Sequence, residues 1–370
     1  MGIVWDIGVD RPQFPMLSEN LEADLVVVGL GGSGLTALLH AAERGLKVIG
    51  IEADRIAAGA AGRNGGLLLA GIADFHHNVR QTLGRERAMA LYQHTLDEMD
   101  RMASTTPESI SRIGALRIGE DPVEMADVVA HRDALIADGY PVIDYDGEQG
   151  QGVLIPTDGT FHPAKRAVQL ANQATAAGAQ IFTHSPAIDL QSGIVKTAQG
   201  SIRAPHILAT IDGNLGKAIP EVANRVQATR LQMISTAPAP TVAMKYAVYT
   251  RQGWDYWQQL PDARIAIGGG RDTALVQEAT DIAEPTQAMR DYLTTKLQSL
   301  GITSEVEHHW AAIVGYTESG MPIVEEVQPG LWAIGAYSGT GNVVGALLGR
   351  SVVDHCIDGR SQVVADFTRV

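Results

Sequence analysis

The sequence predicts an α/β fold with two intertwined domains, and three observations carry that reading. A β-branched run near the N-terminus breaks into glycines and then into a helical pattern. Similar strand–helix segments return in the middle and at the end of the chain. The stretches between them follow other patterns, one mostly helical and one rich in short strands. At 370 residues, 45% of them hydrophobic, the chain exceeds one simple core and can fill two.

The opening unit is "DLVVVGLGGSGLTALLHAAERGLKVIGIEAD". Leu25 to Val28 form an uninterrupted apolar run, as a buried parallel strand requires. Leu35, Leu38, Leu39 and Ala42 recur at helical spacing, Gly45 stops the helix, and "KVIGIE" is the next strand. Residues 77–140 are mostly helical in pattern. In "HPAKRAVQLANQATAAGAQIFTHSPAIDL", Pro163 starts a helix, Gly178 ends it and "QIFTH" is a strand. "SIRAPHILAT" reads as a strand returning to the same sheet. Between 220 and 320, "QMISTA", "TVAMKYAVYT", "RIAIGGG" and "EVEHHWAAIVG" are strand-like around one helix near 286–299. The last segment, "LWAIGAYSGTGNVVGALLGRSVVDHCIDG", is again strand, glycine loop and helix.

Composition narrows the partners. Lys and Arg number 28 against 42 Asp and Glu, a net charge of −14 that disfavours nucleic acid and anionic membranes. A single cysteine, Cys356, excludes an intramolecular disulfide and a cysteine zinc cluster. With no secretory leader or membrane span in its pattern, a cytoplasmic protein is expected. His76–His77 and His308–His309 are adjacent pairs whose rings diverge, so no metal site is expected.

"GLGGSG" places Gly29, Gly31 and Gly34 in G-x-G-x-x-G register, with Gly32 and Ser33 between them. The first glycine permits the tight turn, the second admits a pyrophosphate, and the third lets helix pack on strand. Because the motif follows a strand, opens a helix and precedes Glu52 at the next strand's end, it predicts a Rossmann-like dinucleotide site. "GRNGG" at 62–66 adds a second glycine-rich passage, with Arg63 and Asn64 inside it. "GWDYWQQL" offers Trp254, Tyr256 and Trp257 either as a pocket wall or as packing.

Together these segments resemble the glycine oxidase, D-amino-acid oxidase and sarcosine oxidase group of FAD-dependent amine oxidoreductases. The resemblance spans at least residues 22–350. The opening unit carries it with "AAGAAGRNGGLL", "FHPAKRAVQLANQATAAGAQIFTHSPAI" and "WAAIVGYTESGMPIV" followed by "LWAIGAYSGTGNVVGALLGR". It implies a glutathione-reductase-like, Rossmann-like FAD-binding domain from 22–76, 150–218 and 322–365. An interleaved α+β substrate domain on an antiparallel sheet would take 77–149 and 219–321.

FAD would then meet Gly29, Gly31, Gly32, Ser33, Gly34, Glu52 and Ala53, with Ala187 at the adenine. Arg63, Asn64, Gly65, Gly66 and Leu67 would pass the flavin ring. Gly335, Gly339, Thr340, Gly341 and Asn342 would lie at its pyrimidine end, where the following helix favours negative charge. Arg63, Arg271, Tyr316 and Tyr337 are the substrate-side candidates. The implied reaction is oxidation of the C–N bond of a small amine or amino acid by hydride transfer to flavin N5, followed by imine hydrolysis. The partners are that amine and oxygen or another electron acceptor. A dehydrogenase feeding a quinone or carrier protein, or a non-catalytic flavoprotein subunit, are the alternatives.

Three departures from the group refine these expectations. No cysteine precedes Tyr316 and Thr317, so FAD is expected to be non-covalent. Ala266 stands where sarcosine-oxidase-like relatives place an oxygen-activating lysine, so oxygen is expected to be a mediocre acceptor. Val314 and Ser338 stand where glycine-oxidase-like relatives carry carboxylate-binding arginines. An amine without an α-carboxylate, or with its acid further from the nitrogen, is therefore expected, with Arg63 and Arg271 as candidate anchors.

Overall fold

The computed structural model describes residues 2–369. The chain divides into two compact units. The first comprises the chain up to Ile7, Arg63–His162 and Arg230–Ala312; the second comprises Gly8–Gly62, Pro163–Thr229 and the chain from Ile313.

The second unit is built on a six-stranded sheet. Its order is Gln180–Phe182, Val48–Ile51, Leu25–Val28, His206–Ala209, Leu331–Gly335 and Ile323–Gln328. The first five are parallel and the sixth pairs antiparallel with its neighbour. Leu25–Val28 and Val48–Ile51 are buried at every residue, as covering both faces of a parallel sheet requires. Helix Gly32–Glu43 packs with Pro163–Ala176 and Val344–Asp358. Val26, Val28, Ile49 and Ile51 meet Val195 and Ile202 of a four-stranded sheet, Asn20–Glu22, Ser201–Arg203, Ile194–Lys196 and Asp189–Gln191.

The first unit carries an eight-stranded sheet in the order Val306–Tyr316, Gln227–Thr236, Ile265–Gly269, Asp255–Gln259, Ala247–Thr250, Ala115–Ile118, Gly150–Ile155 and Ile143–Gly147. Helix Gln287–Ser299 lays Met289, Leu293 and Leu297 on Ile234, Trp257, Ile265 and Ile267. Tyr256, next to Trp257 and therefore on the opposite face, joins Leu67, Ala115 and Ala247.

Three features differ from the sequence reading. Residues 63–76 and 150–162 belong to the first unit, because Leu67–Leu68 pairs with Gly159–Phe161 and Gly150–Ile155 pairs with Ala115–Ile118. Residues 219–229 and 313–321 belong to the second. "SIRAPHILAT" is two strands in two sheets, divided at Pro205, which has no N–H for a ladder. A further helix, Gln362–Thr368, follows Val344–Asp358, the helix in which Cys356 lies half-buried with its thiol pushed up to about 12 by burial.

Candidate active site

The glycines of the opening turn have different reasons to be glycine. Gly29 has φ +91°, and a Cβ there would lie 2.6 Å from Ile211 Cγ2. A Cβ on Gly34 would lie 1.9 Å from the Gly29 carbonyl oxygen and 2.6 Å from Thr210 Oγ1. These two are demanded by the fold itself. Gly31 is not: its φ of −85° and ψ of −162° suit any residue, and its Cβ would meet only Ala61 Cβ, at 3.1 Å. A Cβ on Gly32 would meet nothing within 4 Å. Gly31 also caps the twelve-residue helix Gly32–Glu43 without any side-chain bond to its first turn. Space without a protein occupant, at the positive end of a helix, fits the pyrophosphate of a dinucleotide.

Glu52 fixes the other side of this turn. Its Oε2 accepts the Leu30 N–H at 2.8 Å and its Oε1 the Asp54 N–H at 3.1 Å. Burial raises its pKa, opposed by these backbone bonds. A half-buried carboxylate at the end of strand Val48–Ile51 suits a ribose hydroxyl. Ala53 is exposed beside it. Half-buried Ala187 packs on the same core as Val28 and Ile51.

The closing glycine loop belongs to the same unit and meets the same helix. Tyr337 is 5% exposed, its ring lying against Gly341 and Gly345, where added Cβ atoms would sit 2.8 and 3.3 Å from it. Gly345 and Gly349 also let helix Val344–Asp358 approach Ser33, with a Cβ on Gly349 falling 2.4 Å from the Ser33 carbonyl oxygen. The expected substrate-side role of Tyr337 is therefore corrected: positive φ at Ala336 and Ser338 turns its ring into the interior. Thr340 donates both its N–H and its hydroxyl to the Tyr337 carbonyl. Gly339, at φ +93°, leaves its outer side open, with the Tyr316 hydroxyl 3.5 Å from a Cβ position there. Asn342 then leads into the fifteen-residue helix Val344–Asp358. Gly335 is hemmed in by Asp212, whose Cα would lie 2.9 Å from a Cβ.

Asp212 carried no sequence motif, yet it organises this region. It adopts φ +42° just after strand His206–Ala209, a left-handed conformation that Asp tolerates better than most residues. Its Oδ2 accepts the Gly315 N–H at 3.2 Å and its Oδ1 the Tyr337 N–H at 3.3 Å. Burial pushes the carboxyl up to about 6.

The loop at 62–66 also departs from expectation. A Cβ on Gly65 would lie 2.8 Å from the Tyr256 ring, and one on Gly66 would lie 2.6 Å from Gln258 Nε2 and the Phe161 carbonyl oxygen. The object these glycines clear is therefore the protein's own sheet. Asn64 turns inward on its loop: its Oδ1 accepts the Gly66 N–H at 2.8 Å and its carbonyl accepts the Trp5 indole at 2.7 Å. Arg63 donates to the Ala311 carbonyl at 3.0 Å, while its own carbonyl accepts the Trp310 indole. Leu67 is buried in the strand that follows. The close approach made on the Cβ side of this loop is thus to long-range neighbours of the same unit.

The remaining candidates separate. Arg271 lies over the Trp254 ring at 4.5 Å, whereas Trp257 is core. His76 bonds Asp138, His77 pairs with Asp127, His308 meets Ser235 and His309 meets Gln232, so each pair does diverge. Ala266 is 1% exposed, opposite Ser235 and Gln258 in the sheet.

A parallel sheet, a glycine turn with unclaimed space at a helix N-terminus and an acid on the next strand define a dinucleotide-binding α/β protein. Residues 24–355 match the family described as FAD dependent oxidoreductase, and the chain belongs to that family. FAD is its cofactor. Among curated proteins, Probable oxidoreductase OrdL of Rhizobium meliloti (strain 1021) is 28% identical, over 92% of this chain and 84% of that protein. Gamma-glutamylputrescine oxidoreductase of Escherichia coli (strain K12) is 26% identical, over 92% and 85%. The crystal structure of glycine oxidase from Geobacillus kaustophilus shares the fold, with a TM-score of 0.77 at 18% identity over 92% of this chain and 95% of that one. Among the described residues no helix is long and apolar enough to cross a membrane.

Proposed function

We propose that the enzyme oxidises the C–N bond of a small amine whose acid group, where present, stands away from the reacting nitrogen. FAD, when bound, supplies the two-electron oxidation, accepting a hydride equivalent from the carbon beside the neutral amine. The glycine turn 29–34 and Glu52 would hold its pyrophosphate and ribose, and Gly335, Gly339, Thr340, Gly341 and Asn342 its ring end. Tyr316, beside open Gly339, is the retained substrate-side candidate. The protein's part is to orient the amine and favour its neutral form by desolvation. The imine product then hydrolyses in water.

The observation that carries the substrate class is the pair Val314 and Ser338. Half-buried Val314 offers no charge, and Ser338 uses its N–H on the Gly315 carbonyl and its Oγ on the Thr317 N–H. Neither supplies the bidentate fork that an α-carboxylate needs. The Escherichia coli relative is named for gamma-glutamylputrescine, in which the putrescine nitrogen, unlike the glutamyl α-amino group, stands many bonds from the carboxylate. An amine panel scored by flavin bleaching tests the reading.

Attachment and electron acceptor follow from two side chains. Cys356 lies on helix Val344–Asp358 with a thiol that burial keeps protonated, so we expect FAD to be non-covalent. Acid precipitation should leave the yellow colour in the supernatant; colour in the pellet would refute this. Ala266 places a buried methyl where an oxygen-activating lysine is expected in oxidases of the resembling group. A quinone or carrier protein is therefore favoured over oxygen as acceptor. Reduced enzyme mixed with air-saturated buffer should reoxidise far more slowly than in milliseconds; reoxidation on that timescale, with peroxide release, would restore the oxidase reading.

A further inference from the structure

We propose that Asp212 is a positioning residue for FAD: its ionised carboxylate gathers backbone N–H groups from two chain segments and thereby holds the closing loop 335–342 in its cofactor-binding conformation. The inference rests on that loop meeting the ring end of FAD.

The geometry is a built anchor. One carboxylate oxygen takes Gly315 on the strand Val306–Tyr316, and the other takes Tyr337 in the loop. The backbones are pressed together to allow it: a Cβ on Gly213 would lie 3.0 Å from the Val314 carbonyl carbon, and one on Gly315 would lie 2.7 Å from Ala336 Cα. The loop so held also packs through Tyr337, Gly345 and Gly349 on Ser33, in the first turn of the helix that Gly31 opens. Anchor, loop and phosphate turn are thus parts of one packed region of the second unit.

Energetically, this charge is not there for stability. Burial raises the carboxyl from an ordinary 3.8 to about 6. A raised acid favours the folded state fully below its unfolded pKa, and that advantage is lost as pH rises through about 6. At neutral pH the ionised group therefore costs folding free energy. A strained, half-buried acid retained at such a cost points to function. When the carboxyl takes up a proton, its O–H faces N–H donors and one acceptor is lost, so loop order and FAD affinity should fall together. The titratable side chains on the elements around it are Tyr337, Tyr316 and, further along, His206, Lys217 and, on strand Val306–Tyr316, Glu307, His308 and His309. Of these Tyr337 interacts with it electrostatically, its phenol raised by burial.

The test compares wild type with Asp212→Asn by flavin-fluorescence titration of apoprotein with FAD between about pH 5 and 8, alongside apoprotein melting. The variant should bind FAD about tenfold more weakly at the upper pH, the scale of a lost charged hydrogen bond, while melting no lower than wild type. Wild-type affinity should fall towards the variant's below about pH 6. Glu52 is common to both proteins, so their difference reports Asp212. Equal affinities across the range would overturn the proposal, as would parallel losses of melting temperature and affinity, which mark a merely structural acid. Should the variant fail to fold, wild-type affinity that stays flat from about pH 5 to 8 would overturn it alone.

Discussion

Gly31→Val should give a folded but colourless protein, and Gly34→Ala should lose the fold of the same turn. The contrast follows from what each Cβ would meet. At position 31 the backbone is one that valine adopts, and the nearest protein atom is the Ala61 methyl at 3.1 Å, which has only to shift slightly. What the valine occupies is the approach to the amides at the start of helix Gly32–Glu43. Blocking a pyrophosphate there should weaken FAD by at least about 3 kcal/mol, roughly a hundredfold or more. At position 34 a methyl would stand 1.9 Å from a backbone oxygen, so the helix must lift off the strand. Overpacking of that kind costs about 3 kcal/mol and is felt with or without cofactor. Circular dichroism melting of apoprotein and the visible flavin band separate the two. A yellow Gly31→Val protein of unchanged FAD affinity would remove the pyrophosphate from this turn.

The distinction between these glycines marks the limit of what the sequence discloses. The turn, its helix and Glu52 were legible because they are local: strand, glycines and helix follow one another, and the acid ends the next strand. The loop at 62–66 was only half legible. Its glycines do mark a close approach, but the approaching groups are Tyr256 and Gln258, which lie far along the chain and are brought there by the sheet. The limits of the two compact units differ from the expected domains for the same reason, since the partner of Leu67–Leu68 is Gly159–Phe161 and no periodicity announces a pairing at that distance. Tyr337 was named from the resemblance, and its burial against Gly341 and Gly345 depends on a backbone path with positive φ at Ala336 and Ser338 that no pattern announces. Asp212 left one faint signal, an acid followed by glycine just past a buried strand, but its donors come from segments that only folding assembles.

Glycine, sarcosine and D-alanine should reduce the flavin at least about a hundredfold more slowly than an amine that carries its acid several bonds away. An α-carboxylate lies one carbon from the nitrogen, so whatever orients the amine also fixes where the acid must sit. In this chain the two positions expected to meet it are a valine and a serine, which between them offer one hydroxyl and no charge. Leaving a carboxylate desolvated without a partner costs about 3 kcal/mol or more, which sets the hundredfold. A distal acid escapes this constraint and can look for another cation. Arg63 is a poor candidate, being tied to the Ala311 carbonyl, so Arg63→Ala should lower stability more than it changes KM. Arg271 is the better one: it is half-buried and stacked on Trp254, which holds its charge at a defined place. Arg271→Ala should raise KM for an acid-bearing amine roughly tenfold, the scale of one charged hydrogen bond, and leave a plain primary amine unchanged. Stopped-flow flavin bleaching across the panel measures both effects. Rapid reduction by the simple amino acids would show that a clamp other than Val314 and Ser338 serves the α-carboxylate. Equal losses for charged and uncharged amines in Arg271→Ala would reduce Arg271 to packing on Trp254, and the anchor for the acid would have to be sought on another element.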